Sequence, residues 1–288
     1  MKNIIVSPNI YKDPEFRITR EIVSYLVSLG GQIYLPDGLG ISIQGSDIHY
    51  FKGDLPKEAE AIVVIGGDGS VLAAAAYAIG ADLPILGLNL GRLGYLAELE
   101  VSEYEMLSCL FTGEYTVKER MTFDVSLVRG GEEMSLVRGA INDVVVSQVP
   151  GNGMSEIRLE DGHGNHLTYL ADGLIVATPL GSTAYSMAAG GPVVDSALSA
   201  FCVTPICPHS IFSRSVLFPP EYTLTVKNGS RREGMMKVSI DGSEEYELSP
   251  GDSVNVSRSG KVLRMISPKN QSALGVLCRK MQLLNQRD

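Results

Sequence analysis

Residues 61–76 read AIVVIGGDGSVLAAAA, and this stretch restricts the fold more than any other. A short apolar run stops abruptly at Gly66-Gly67-Asp68-Gly69-Ser70, and a small-residue helical stretch follows at once. That is the pattern of a buried parallel strand, a tight glycine-rich turn and a helix N-terminus. Unpaired N–H groups at a helix start, reinforced by the helix dipole, attract anions. Glycine lets the main chain approach a phosphate because no Cβ intervenes. An acid inside such a turn repels the anion, so Asp68 requires a reason: a metal ion, or a proton to accept.

The flanking pattern extends this unit into a domain. Residues 2–7 (KNIIVS) form a first buried strand, and Ile18, Ile22, Leu26 and Leu29 recur at helical spacing across 14–29. Residues 32–35, 61–65 and 84–88 supply further strands, with a Pro/Gly-rich loop after the second and a helix over 70–79. Strands alternating with helices imply a parallel, Rossmann-like sheet, whose ligands bind at the carboxyl ends of the strands. A further helix is expected over 103–111.

From Tyr115 the period changes to that of strands, with turn residues between them. Strand-like runs occupy 122–128, 140–147, 155–159, 167–171, 174–178, 222–226, 237–240, 253–257 and 262–266, and Asp161-Gly162-His163-Gly164 reads as a hairpin turn. The tail returns to helical spacing over 273–284, with Leu274, Leu277, Cys278, Met281 and Leu284 on one face. The expected division is an α/β domain over 1–112, a β-rich, sandwich-like domain over 113–266, and a tail helix over 267–288 that docks on the first domain.

Composition limits the functional classes. A net charge of −9 makes a poor binder of nucleic acid or anionic membrane. No apolar stretch reaches the roughly 18–20 residues that span a bilayer, and residues 1–8 read as a strand rather than a signal peptide. Cys109, Cys202, Cys207 and Cys278 are scattered without a Cys-x-x-Cys pair, so reduced, structural thiols in the cytoplasm are expected. The histidines show no metal-site spacing with cysteine.

Three stretches carry chemistry. The turn at 66–70 lacks the Gly-Lys-Ser/Thr ending of a P-loop and is not Gly-x-Gly-x-x-Gly; alone it is either an anion site or a βα turn whose aspartate caps the helix. Asp172 and residues 173–194 (GLIVATPLGSTAYSMAAGGPVV) run from a strand through Pro179 into a turn rich in hydroxyls. Asn142-Asp143 opens the strand INDVVVS; an amide beside a carboxylate can grip a ribose diol, or the pair is simply a turn.

Together these stretches closely resemble the NAD kinases. The family's GGDG motif matches residues 66–69, its Asn-Glu/Asp pair matches Asn142-Asp143, and its DG…TP.GSTAYS…GGP block matches 172–192. LGRLGYL at 90–96, PICPHS at 205–210 and Ile240-Asp241-Gly242 match further elements. GGDG alone is weak, being shared with lipid kinases and phosphofructokinases; the long block is specific. Ser70 stands where threonine is commoner and keeps the hydroxyl.

The resemblance implies an enzyme that transfers the γ-phosphoryl of ATP, or of polyphosphate, to the 2′-hydroxyl of the adenosine ribose of NAD(H). Asp68 would accept the hydroxyl proton. Gly66, Gly67, Gly69 and Ser70 would shape the turn, with Gly69 touching the dinucleotide, and Tyr95 would stack on adenine. Asn142 and Asp143 would hold a ribose, and Asp172 the nicotinamide end. Thr183, Ala184, Tyr185, Ser186, Met187 and Ala188 would line the dinucleotide site, with Tyr185 and Ser186 central. A divalent metal, Mg²⁺ or Mn²⁺, would ride on the donor phosphates, and members are homodimers or homotetramers. Two other readings remain at this point: a lipid-type kinase sharing only the turn, and a non-catalytic NAD(P)-binding regulator, against which the retained Asp68 argues.

Overall fold

Five of the strands in the first half of the chain are rich in Ile, Val and Leu, and they assemble as a parallel sheet. The computed structural model describes residues 2–91, 94–149, 155–210, 213–229, 235–269 and 275. It divides into two compact units, one of residues up to Glu119 with the described residues from Leu263 on, the other of Arg120–Val262.

The first unit contains β1 (Lys2–Pro8), α1 (Arg17–Ser28), β2 (Gly31–Pro36), β3 (Ile48–Phe51), β4 (Ala61–Gly66), α2 (Asp68–Ala81), β5 (Ile85–Asn89) and β6 (Leu99–Glu100). Every strand pairing among them is parallel, in the order β3-β2-β1-β4-β5-β6. All of β4 and β5 is buried, as expected of a sheet covered on both faces. The helix α1 buries Ile22, Val23 and Leu26 against Ile4, Val6, Val63 and Ile65. The alanine-rich α2 buries Val71, Ala74, Ala75, Ala78 and Ile79. It begins at Asp68, two residues before the sequence pattern suggested, because Gly67 supplies its N-cap.

The short strand β3 falls in the stretch read as loop; its flanking glycines and prolines masked a four-residue run. The helix expected over 103–111 is instead a 3₁₀ stretch, Val101–Ser108, followed by a single α turn, α3 (Cys109–Thr112).

In the second unit the strands are β7 (Thr116–Arg129), β8 (Glu132–Ala140), β9 (Asp143–Gln148), β10 (Ser155–Glu160), β11 (His166–Ala171), β12 (Gly173–Ala177), β13 (Phe201–Ile206), β14 (Val216–Phe218), β15 (Thr223–Asn228), β16 (Met236–Ile240), β17 (Glu244–Leu248) and β18 (Ser253–Ser267). One antiparallel sheet runs β14-β13-β12-β9-β16-β17. The others pair antiparallel as β11-β10-β15-β18 and as the hairpin β7-β8. Residues from both groups share one apolar core, with Phe123 of β7 stacked on Phe201 of β13 at 4.9 Å. This is the β-sandwich the alternation implied. The turn at 161–164 joins β10 to β11, its aspartate accepting N–H bonds from His163 and Asn165.

The unit boundaries fall at 119/120 and 262/263 rather than at 112/113 and 266/267. Both crossings lie inside long strands, β7 and β18, so no loop marks the division, although Ser259-Gly260 interrupts the pattern within β18. The two strands read at 253–257 and 262–266 are one continuous strand, β18. The first half of β8 is exposed and shows no alternation, so it was not legible as a strand. The tail helix expected over 273–284 lies outside the described residues, apart from Gly275.

Candidate active site

In a sheet of order 3-2-1-4-5, all parallel, the order in which successive strands are added reverses between β1 and β4, and the crevice beyond their carboxyl ends is the usual ligand site. The loop after β4 is the Gly66-Gly67-Asp68-Gly69-Ser70 turn. Gly66 is required there: a Cβ would lie 2.5 Å from Ser70 Cβ. Ser70 Oγ accepts a long bond from Gly67 N, 3.4 Å, and a short one from Asn9 Nδ2, 2.7 Å. The amides of Asp68 and Gly69, in the first turn of α2, have no intrahelical acceptor.

Asp68 does not cap α2. Its carboxylate accepts the main-chain N–H of Tyr95 at 2.7 Å and of Leu96 at 2.9 Å. Both donors belong to the LGRLGYL segment that follows β5. That segment is shaped by Asn89, which is buried, accepts from Gly91 N and donates to Gly91 O and to Glu100. Gly94 lets the loop close on Asp68, since a Cβ there would lie 3.0 Å from Asp68 Oδ1. Each carboxylate oxygen keeps a lone pair for a further donor. The Tyr95 ring is half-buried, and burial first, then the Asp68 charge, raises its phenol above the ordinary value.

The second unit holds a separate constellation. Asp241, in a left-handed conformation (φ 49°), accepts main-chain N–H bonds from Ile141 (2.8 Å), Asn142 (2.6 Å) and Asp143 (3.2 Å). Thr178 closes the same turn from the other side, its N–H donating to Asn142 O and its hydroxyl to Ile141 O. Gly181 packs flat against this turn; a Cβ there would lie 2.0 Å from Asn142 O. The result is a cavity of about 440 Å³ lined by Asn142, Asp143, Ala184, Tyr185, Asp241 and neighbours. Asp143 is 5% exposed, and burial, then the Asp241 charge, pushes its carboxyl up to about 7. At neutral pH it therefore exists in both forms, one that donates a hydrogen bond and one that only accepts.

The expected lining residues separate here. Ala184 and Tyr185 face the cavity. Thr183 turns its hydroxyl to Leu180 O. Ser186, expected to be central, is fully buried and bonded to Thr204 Oγ1 at 2.9 Å, because α4 (Tyr185–Ala188) is a single turn that must anchor on β13. Met187 and Ala188 are exposed and do not line the cavity. Asp172 stands away from it. Because β9 and β12 run antiparallel, Asp172 lies at the Gln148 end, accepting from Gln148 Nε2 at 2.7 Å. That end is a strand length of about 16 Å from Asp143.

The family model described as ATP-NAD kinase N-terminal domain matches residues 4–115, and that described as ATP-NAD kinase C-terminal domain matches 141–267. The chain is 35% identical over 284 residues to the NAD kinase of Natranaerobius thermophilus, spanning 98% of each. It is 33% identical over 283 residues to that of Caldanaerobacter subterraneus subsp. tengcongensis, spanning 98% of this chain and 99% of the relative. The chain belongs to the NAD kinase family.

Two solved NAD kinase-type structures share its fold. Yeast NADH kinase complexed with NADH superposes with a TM-score of 0.81 at 22% identity, over 100% of this chain and 88% of that one. An NAD kinase from Archaeoglobus fulgidus in complex with ATP gives 0.69 at 22%, over 98% and 99%. The lipid-kinase reading shares only the turn, whereas the NAD kinase match extends through both units. Three residues that build the two constellations, Asn9, Asn89 and Asp241, were not among the candidate site residues. Asp241 was visible as part of Ile240-Asp241-Gly242; Asn9 and Asn89 carried no signal beyond their place after a strand.

Proposed function

We propose that this NAD kinase transfers the γ-phosphoryl of ATP, or of polyphosphate, to the 2′-hydroxyl of the adenosine ribose of NAD(H), giving NADP(H), with Asp68 as proton acceptor. The observation that carries this reading is the Asp68 carboxylate held by two main-chain amides at the β1/β4 crevice. The hydroxyl gives its proton to Asp68, O2′ forms a bond to the γ-phosphorus, and the bond to the β-bridging oxygen breaks with its electron pair leaving on ADP. General-base help of this kind contributes about 10²–10⁴-fold. Asn142 and Asp143 hold a ribose, Tyr185 and Ala184 bound its pocket, and Tyr95 supplies an aromatic face for adenine.

A divalent cation fits as the donor's passenger. Among the described residues no group of three or more His, Cys, Asp or Glu side chains forms a cage. Mg²⁺ takes most of its ligands from phosphates and water and needs no protein cage, which leaves Asp68 to the hydroxyl proton. When bound, it neutralises charge on the phosphates.

Cytoplasmic operation is supported by the thiols: Cys109, Cys202 and Cys207 are all unpaired, and burial pushes the Cys109 thiol up to about 11. A homodimer or homotetramer is proposed on the family resemblance alone.

The test is to incubate the purified protein with NAD or NADH, Mg²⁺ or Mn²⁺, and ATP or polyphosphate, then measure NADP(H) with an NADP-specific dehydrogenase. NADP formation is expected. No product with either donor overturns the reading. Light scattering at working concentration gives the oligomer.

A further inference from the structure

We propose that Lys12 binds the phosphate chain of the donor. The proposal rests on the phosphoryl-transfer reading and adds a residue to it that neither the sequence motifs nor the glycine-rich turn identifies.

The crevice between β1 and β4 has two walls. One is the turn at 66–70. The other is the loop after β1, residues 9–13, which is tied to β4 and to the turn through Asn9. Asn9 N donates to Ile65 O at 2.9 Å, and Asn9 Nδ2 donates to Ser70 Oγ at 2.7 Å. The same Asn9 accepts, on Oδ1, the N–H of Tyr11 and of Lys12, both at 3.0 Å. Asn9 thus sets the main chain of Lys12 relative to the turn with one side chain.

From that position the Lys12 side chain reaches over the turn. Its Nζ lies 2.5 Å from where a Cβ on Gly67 would stand and 2.9 Å from where one on Gly91 would stand. The ammonium lies close over the bare main chain at both glycines. Gly67 is the N-cap of α2, and Gly91 lies in the loop after β5 whose later residues hold Asp68. The cation, carried by the loop after β1, therefore stands over the loops that follow β4 and β5.

Nearby acids do not account for it. Asp13, the adjacent residue, is buried and spends its carboxylate on Ile18 N, Thr19 N and the Thr19 hydroxyl. Asp68 faces the Tyr95 and Leu96 amides. Among the described residues Lys12 has no ion-pair partner, in a chain whose net charge is −9.

The chemistry fits a phosphate chain. An ammonium is a compact point charge with three donors on a flexible stem, suited to follow phosphate oxygens as charge moves among them. During transfer the O2′–P bond forms, the bond to the bridging oxygen breaks, and its electron pair becomes charge on the leaving phosphate, while the proton goes to Asp68. Lys12 faces that growing charge, as cationic side chains do at other phosphoryl-transfer sites.

The experiment uses the full-length protein with Lys12→Met and Lys12→Arg. Lys12 is exposed, so both variants retain the fold. Calorimetric binding of inorganic tripolyphosphate is measured for all three proteins, with adenosine as control. In Lys12→Met, tripolyphosphate affinity and kcat/KM for ATP fall by about 10- to 100-fold, the worth of one charge-assisted hydrogen bond. KM for NAD stays within about twofold, adenosine binding is unchanged, and Lys12→Arg recovers most of the loss. Unchanged tripolyphosphate affinity in Lys12→Met overturns the proposal, as does an equal loss toward NAD that arginine does not rescue. If wild type makes no NADP the kinase reading fails, while tripolyphosphate binding still decides the assignment of Lys12.

Discussion

Tyr95 N donates to Asp68 Oδ2 at 2.7 Å, so the loop after β5 holds the carboxylate that the loop after β4 supplies. The acid is thus oriented from outside its own turn. In Asp68→Asn, one amide would meet an NH₂ group instead of an oxygen. We expect turnover to fall by about 10²–10⁴-fold, dinucleotide affinity to stay within about twofold, and stability to drop by about 1–2 kcal/mol. Steady-state kinetics beside equilibrium binding check this; wild-type turnover would refute the base role.

Asp143 provides a pH signature. Its folded value, about 7, lies above the ordinary 3.8, because burial and then the Asp241 charge disfavour the ionised form. Between about pH 4 and 7 the folded chain keeps a proton that the unfolded chain has lost. Stability therefore falls as pH rises through that window, by at most about 4 kcal/mol for the full shift. Asp143→Asn removes this dependence. Urea unfolding of both proteins at several pH values should show the variant gaining on wild type as pH rises; a constant difference would sink the account.

Gly181 and Gly69 should respond oppositely to alanine. At Gly181 the new Cβ would sit 2.0 Å from Asn142 O, a main-chain atom that cannot yield without moving the Asn142-Asp143 turn. Gly181→Ala should cost about 3 kcal/mol or more and raise KM for NAD. At Gly69 nothing lies within 4 Å, and the residue is in the first turn of α2. Gly69→Ala should leave thermal stability unchanged or raise it by about 0.5–1 kcal/mol. Melting curves of the pair decide it.

Ser186 and Tyr185 are neighbours with different duties. Ser186→Ala breaks the bond to Thr204 and should cost about 1 kcal/mol with KM for NAD unchanged. Tyr185, 47% exposed at the cavity, should behave the other way. Tyr185→Ala is expected to raise KM for NAD about tenfold while the melting temperature holds. A KM change in Ser186→Ala without loss of stability would mean its hydroxyl does reach the ligand.

Local pattern carried a good deal. The run of Ile and Val before Gly66, the helical spacing of Ile22 and Leu26, and the Asp161 hairpin each state their own conformation, because burial and turn chemistry act over a few residues. Where these local signals were diluted, as at Ile48–Phe51 between glycines or in the exposed start of Glu132–Ala140, the strand was not legible. Its partners formed it.

The amino-acid sequence by itself determined which turns can meet an anion, which residues are acids beside them, and to which family the motifs point. Only the tertiary structure decided what those residues do for one another. Asp241 meets Asn142 across 99 positions, and Asn9 meets Ser70 across 61. Asp172 and Asn142, close in the chain, stand at opposite ends of the β9/β12 pair. Hydrogen bonds of this kind depend on strand order and register. Those are set by the burial of whole sheets, and no local pattern of side chains encodes them.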